Sequence, residues 1–285
     1  MPWNSLNSLK TKAKKAGGGI TMSFDSMSGV TLHTGTPGWK VYTISSTSAM
    51  TRTITATVSS DTSINIIVCG GGGGSIGYFN GSAGGSGGSR FREIQKFISA
   101  TNPTQIFTCT IPASAFRSSG GTSSITFSVP TVGDISCGGG GAGGYIGDNA
   151  PPNGGSGGGG GSAYNYSSYT PINNPGGTGV TSGGGGFNTG YSSSSGTSYN
   201  GGGGGAGGSG ASATSSGNGA GGLGISATLA GITAVYNNTY KFCSGGHGNP
   251  ASSPESTFGS GSTGILTGSG SKTGNAGAII IAVPA

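Results

Sequence analysis

Through the first half of the chain, apolar positions alternate with hydroxyl-bearing ones. Arg52-Thr53-Ile54-Thr55-Ala56-Thr57-Val58 repeats with a period of two, which marks a strand with one face on a core and the other toward solvent. Threonine suits the outward positions, because β-branched side chains pack well on a pleated surface. The same reading predicts strands at Thr31 to His33, Trp39 to Ile44, Thr51 to Val58, Ile64 to Val68, Gln105 to Ile111 and Ser123 to Val129. Turn residues separate several of them, as in Thr36-Pro37-Gly38 and Ser59-Ser60-Asp61. Arg90 to Ala100 fits two patterns, since Phe91, Ile94, Phe97 and Ile98 also share one helical face. The turn signal Thr101-Asn102-Pro103 beside it favours a strand hairpin. Ile225 to Tyr236 and Gly264 to Thr267 read as later β segments. The chain closes on Ala278-Ile279-Ile280-Ile281-Ala282-Val283, an unbroken apolar run that predicts a buried strand tied into a sheet.

Glycine interrupts this pattern in runs that start where strands end. Ile64-Asn65-Ile66-Ile67-Val68-Cys69 leads into Gly70 to Gly74, and Ile135-Ser136-Cys137 leads into Gly138 to Gly141. The chain holds 67 glycines in 285 residues, where the usual share of ~7% would give about 20. Glycine loses more backbone entropy on ordering than any other residue, so order in such runs has to come from collective hydrogen bonding. Threefold left-handed helices of the polyproline II type leave every peptide group free to bond sideways. Runs such as Gly157 to Gly161 and Gly201 to Gly205 break the strict every-third-residue period of collagen. The competing reading of the middle of the chain is a flexible Gly/Ser linker.

Charge divides the chain unevenly. Only 6% of residues are charged and the net charge is +6. Lys10, Lys12, Lys14 and Lys15 precede the first acid, Asp25, and the rest of the chain is nearly balanced. Trp3, Leu6 and Leu9 recur at a helical spacing ahead of those lysines, and Gly17-Gly18-Gly19 ends the segment. Residues 1–19 therefore read as a basic docking arm, with a disordered basic tail as the alternative. Four lysines alone give nucleic acid only a salt-sensitive, nonspecific attraction, so no specific nucleic-acid partner is expected. The remaining organisation is a β-rich region over 20–137 and a glycine-rich region over 138–285. Tyr145, Tyr164, Tyr166, Tyr169, Tyr191 and Tyr199 are scattered through the latter, and rings with an apolar body and a polar tip suit surface contact.

The strand–glycine junctions, the long Gly/Ser/Asn middle and the ending Gly274-Asn275-Ala276-Gly277-Ala278-Ile279-Ile280-Ile281 resemble the glycine-rich domain of viral structural proteins. That domain is found in phage tail and fibre proteins and in minor capsid proteins of large DNA viruses. The resemblance covers roughly residues 60–285, and the final Ala282-Val283-Pro284-Ala285 departs from the family's more usual aromatic or basic ending. It implies a mainly β protein, with a β-sandwich or β-sheet segments flanking polyglycine II-like helices and long ordered loops. It implies no catalytic residues.

The residues themselves offer little chemistry. His33 and His247 have no acidic neighbour at motif spacing, no GxSxG sequence surrounds a serine in a strand–turn–helix context, and no GxxxxGK[ST] sequence is present. Cys69, Cys109, Cys137 and Cys243 show no CxxC spacing, and Met1 to Lys15 has no apolar signal core. The cysteines are accordingly expected to be reduced, small, buried groups, with no metal and no cofactor. The expected function is a non-enzymatic virion structural protein assembled in the host cytoplasm, a minor capsid or cement component whose Trp3, Leu6, Leu9 and lysines dock on another virion protein, the major capsid protein or a fibre shaft. The alternative is a tail-fibre tip adhesin that meets a host receptor through Tyr164, Tyr166, Tyr169, Tyr191 and Tyr199. No stretch is long and apolar enough to predict a membrane span.

Overall fold

The computed structural model describes residues 19–76, 85–116, 118–143, 162–165, 170–173, 191–192, 198–214, 216–236, 241–249, 251, 257–265 and 271–285. Ten of its strands make two five-stranded antiparallel sheets. In chain order they are β1 (Ile20–Phe24), β2 (Val30–His33), β3 (Trp39–Ser45), β4 (Met50–Val58) and β5 (Thr62–Cys69), then β6 (Phe91–Ile98), β7 (Thr104–Ile111), β8 (Ser123–Phe127), β9 (Ile135–Cys137) and β10 (Ala278–Pro284). The first sheet runs β1-β4-β7-β8-β9 and the second β2-β3-β10-β5-β6. Their inner faces meet in one core, with Ile54, Phe107, Cys109 and Ile125 from the first sheet and Ile44, Ile66, Ile98 and Ile281 from the second. The protein is a mainly β, sandwich-like structure.

The alternation in β4 sorts its residues as the period of two requires. Ile54, Ala56 and Val58 are buried in the core, while Thr51, Thr53, Thr55 and Thr57 take the other face. The unbroken apolar runs have a different cause. β5 and β10 lie inside the second sheet, and that sheet is covered on both faces. Val41, Ile67, Cys69, Ile280 and Ala282 point away from the sandwich core and pack against Ala227, Ile232, Tyr236, Phe242 and Cys243 of the glycine-rich region. β10 pairs with β3 on one side, Ile281 opposite Tyr42, and with β5 on the other, Ile281 opposite Ile66. The last strand of the chain thus joins two early ones, and the regions split at 137 in the sequence share one sheet.

Two expectations need correction. Phe91–Ile98 is a strand and a turn follows it, with Asn102 N donating to Ser99 O at 3.3 Å. The two strands around that turn do not form a hairpin, because β6 pairs with β5 in the second sheet and β7 with β4 in the first. The turn carries the chain across the sandwich. In Ile225 to Tyr236 only Ile225–Ser226 is a strand, and Ile232–Val235 (α1) is a single helical turn. A helical turn sets Ile232 and Tyr236, four residues apart, on one face, and both are buried on the sheet. Gly231 starts that turn at φ +80°, where a side chain would also strike the Trp39 ring. The segment is pinned as well: Glu93 accepts from Thr228 N, Thr228 Oγ1 and Leu229 N, and Asn65 Nδ2 donates to Ala230 O at 2.9 Å. Smaller differences concern Ser123 to Val129, where the strand stops at Phe127 and Pro130–Val132 forms a 3-10 turn. Gly264 and Ile265 are described outside any multi-residue strand, and 266–267 lie outside the described residues.

The glycine segments hydrogen-bond in a repeating pattern. Gly85 and Gly88 donate to Gly201 and Gly204, Ser86 and Ser89 to Ser262 and Gly259, and Gly87 and Arg90 to Gly141 and Gly138. Each N–H thus turns to a new neighbour, and the first neighbour returns at the third residue. Gly71 and Gly74 repeat this toward Gly121 and Ser118, while Gly72 and Gly73 donate to Asn275 and Gly87. A flat sheet offers each strand two bonding directions; these segments use three. Their peptide groups are satisfied laterally, as buried backbone requires.

The molecule is polar along its strands. The glycine runs leave the sandwich after Cys69 and Cys137 and re-enter it before Phe91, Ser123 and Ala278, and pairing places all five at one end. At the other end lie Ile20, the turn 59–61, the crossing turn 99–103 and the 3-10 turn 130–132.

Candidate functional site

Of the arm residues, Trp3, Leu6, Leu9, Lys10, Lys12, Lys14 and Lys15 all lie outside the described residues, and Gly19 places the arm's junction at the turn end of the sandwich, where Gly19 O accepts from Ser59 N at 2.8 Å. Tyr145, Tyr166 and Tyr169 are also outside. Tyr164 lies on the strand Ser162–Asn165, opposite Pro171, and Tyr191 lies opposite Tyr199 in a two-stranded ribbon. The structure therefore brings two of the five nominated tyrosines into register and leaves Tyr164 on a separate ribbon.

All four cysteines are free and buried, as read from the sequence. Burial pushes the thiols of Cys109 and Cys137 up to about 12 and that of Cys69 well above its ordinary 9.0, where a hydrogen bond with Cys243 adds to burial. Ser89 Oγ donates to Cys243 Sγ at 3.0 Å. The thiolate is the reactive form, so these groups act as small apolar fillers. At pH 8 the folded protein should label with a maleimide at Cys109 and Cys137 about a thousandfold more slowly than the urea-unfolded chain. Rapid native labelling detected by mass would contradict their burial. The raised values also set a pH dependence. The unfolded state loses these protons first, so their stabilising contribution is complete below about pH 9 and is lost as pH rises toward 12.

The histidine outside motif spacing finds polar partners in three dimensions. His33 Nε2 bonds Thr43 Oγ1 at 3.1 Å, and Thr43 Oγ1 bonds the Tyr236 hydroxyl at 2.6 Å. The His33 and Tyr236 rings meet edge to face at 5.8 Å, and a cavity of about 260 Å³ opens between them, Val30 and Phe258. Burial lowers the His33 pKa, which favours the neutral ring. The row crosses from the edge strand β2 to β3 and on to the covering segment, so it fastens α1 to the sheet. His247 takes a backbone role instead, its Nδ1 accepting from Gly221 N at 3.3 Å.

A larger cleft, about 390 Å³, lies at the turn end and was not legible in the sequence. It is bounded by the end of β6, the crossing turn, the start of β7 and the 3-10 turn, with Gln95, Lys96, Phe97, Ser99, Asn102 and Gln105 among its lining. Phe97 is 62% exposed. Gln105, at 1% exposure, donates through Nε2 to Ser99 O at 3.2 Å and Asn102 O at 3.3 Å. Those two carbonyls fix which way the amide faces. Its Oε1 is then buried with no hydrogen-bond partner among the described residues, a condition that costs about 1–3 kcal/mol. Lys96 Nζ donates to Val132 O at 2.5 Å and is the one charged group among the described residues that line the cleft. Phe97 and Gln105 were legible only as strand residues, because the turn that joins them crosses between sheets. Among the described residues no group of three or more His, Cys, Asp or Glu side chains converges on a metal position, and no helix is long and apolar enough to cross a membrane.

Comparison of the chain with protein-family models, with curated proteins and with solved structures gives no match.

Proposed function

We propose that this chain is a non-enzymatic structural protein of a virion, a minor capsid or cement component, whose glycine segments form a bundle of polyglycine II-like helices. The observation that carries the reading is the two-ended architecture. The arm's junction lies at one end of a β-sandwich, and a hydrogen-bonded glycine body leaves from the other. An arm with Trp3, Leu6, Leu9 and four lysines can then bind a neighbouring virion protein while the body stands away from it. The three-residue return of the hydrogen bonds supports the helical form, since polyproline II geometry has three residues per turn. Backbone couplings in the glycine segments that give a φ magnitude near 75° would support that form, and couplings of fully extended chain would oppose it.

Deleting residues 1–16 should abolish incorporation into particles while leaving both sheets folded. Full incorporation of the truncated protein would overturn the assignment of the arm. A second reading, a tail-fibre tip adhesin, is favoured by the placement of the glycine body at the end opposite the arm's junction. Imaging of labelled protein in an intact particle separates the two: density in the shell supports the cement component, and density at a fibre tip supports the adhesin.

A further inference from the structure

We propose that the cleft at the turn end binds a pyranose sugar unit of a glycan. Its parts match what a pyranose presents. A sugar ring has an apolar C–H face, and Phe97 offers a largely exposed aromatic ring beside the cleft. Around the ring's edge are hydroxyls that both donate and accept. Asn102 carries an exposed amide, the Gln95 amide has capacity beyond the bond its Nε2 donates to Asn65 Oδ1 at 3.1 Å, and Lys96 Nζ retains donor capacity beyond its bond to Val132 O. Beneath them the buried Gln105 amide, held by Ser99 O and Asn102 O, fixes the crossing turn that carries Asn102. The volume, about 390 Å³, is within the usual range for small-ligand sites, and one sugar residue fits it.

The site uses no tyrosine of the glycine region and does not depend on where in a particle the protein sits.

Titration of the full chain with the methyl glycosides of galactose, glucose, N-acetylglucosamine and N-acetylneuraminic acid, followed by saturation-transfer NMR, tests the proposal. At least one glycoside should bind saturably, with a dissociation constant on the order of 1 mM, as expected for a ligand this small. Phe97→Ala should weaken that binding about tenfold or more with the thermal midpoint unchanged, because the ring is exposed. Asn102→Ala, at an exposed position of the crossing turn, should weaken it as well with the thermal midpoint unchanged. No saturable binding of any of the four, or binding that Phe97→Ala leaves intact, overturns the proposal.

Discussion

A chain that ends at Gly277 does not fold cooperatively. The deletion removes β10, in which Ala278, Ile279, Ile280, Ile281, Ala282 and Val283 are all fully buried. Ile279, Ile281 and Val283 are lost from the sandwich core, and Ile280 and Ala282 from the outer cluster. At about 1.5–3 kcal/mol for each of the four large side chains, the burial lost is on the order of 6–12 kcal/mol. That matches the entire stability of an ordinary domain, about 5–15 kcal/mol. β3 and β5 would also lose the partner between them, and their inward backbone groups would be left unpaired. Far-UV circular dichroism and a urea titration should show no cooperative transition. Removal of Ala285 alone, which is exposed and gives up one bond to Gly38 O, should leave the transition nearly unchanged. A folded, cooperative protein ending at Gly277 would mean that β10 does not join the two halves of its sheet.

Gly72→Ala should destabilise the protein by about 3 kcal/mol or more, at the upper end of what overpacking costs. A Cβ on Gly72 would overlap the Ser260 carbonyl, which is backbone of a neighbouring buried segment and has no rotamer to escape into. Gly72 N also donates to Asn275 O at 2.9 Å, so pushing the segments apart breaks a bond in the same place. Gly138 is the matched control. The nearest atom to a Cβ there is Arg90 Cδ at 3.8 Å, and its φ lies outside the left-handed region. Gly138→Ala should be neutral or stabilising by about 0.4–1 kcal/mol, through the lower entropy of its unfolded chain. Urea midpoints at unchanged slope measure both. Equal effects at the two positions would show that the glycines are needed for flexibility and not for close packing.

The two substitutions separate what glycine content means from what glycine position means. In the sequence Gly72 and Gly138 are alike, each near the start of a run after a cysteine. Only the packing distinguishes the one pressed against Ser260 from the one facing the flexible end of Arg90. The strands were more legible. Alternation in β4 reports one buried face, and the unbroken runs in β5 and β10 report two, because side-chain direction along a strand is a local property. Arg90 to Ala100 shows the limit. Its strand character was readable, but a strand's partner is set by the opposite face of the fold, and the expected hairpin is a crossing between sheets. Ile225 to Tyr236 failed for a related reason. Its aliphatics suggest a strand, and the helical turn is imposed by the sheet surface it has to cover. The sugar cleft was invisible, since Phe97, Asn102 and Gln105 converge only after that crossing is made.

By itself, the sequence determined the β class, most of the strands, the reduced and buried cysteines, and the launching of glycine runs from strand ends. These depend on residue type and short periods, which act within a few residues. Tertiary structure decided which strands share a sheet, which glycines admit no side chain, and where polar groups gather into a cleft. These depend on contacts between residues far apart in the chain, as when Ala278–Pro284 closes a sheet begun at Val30.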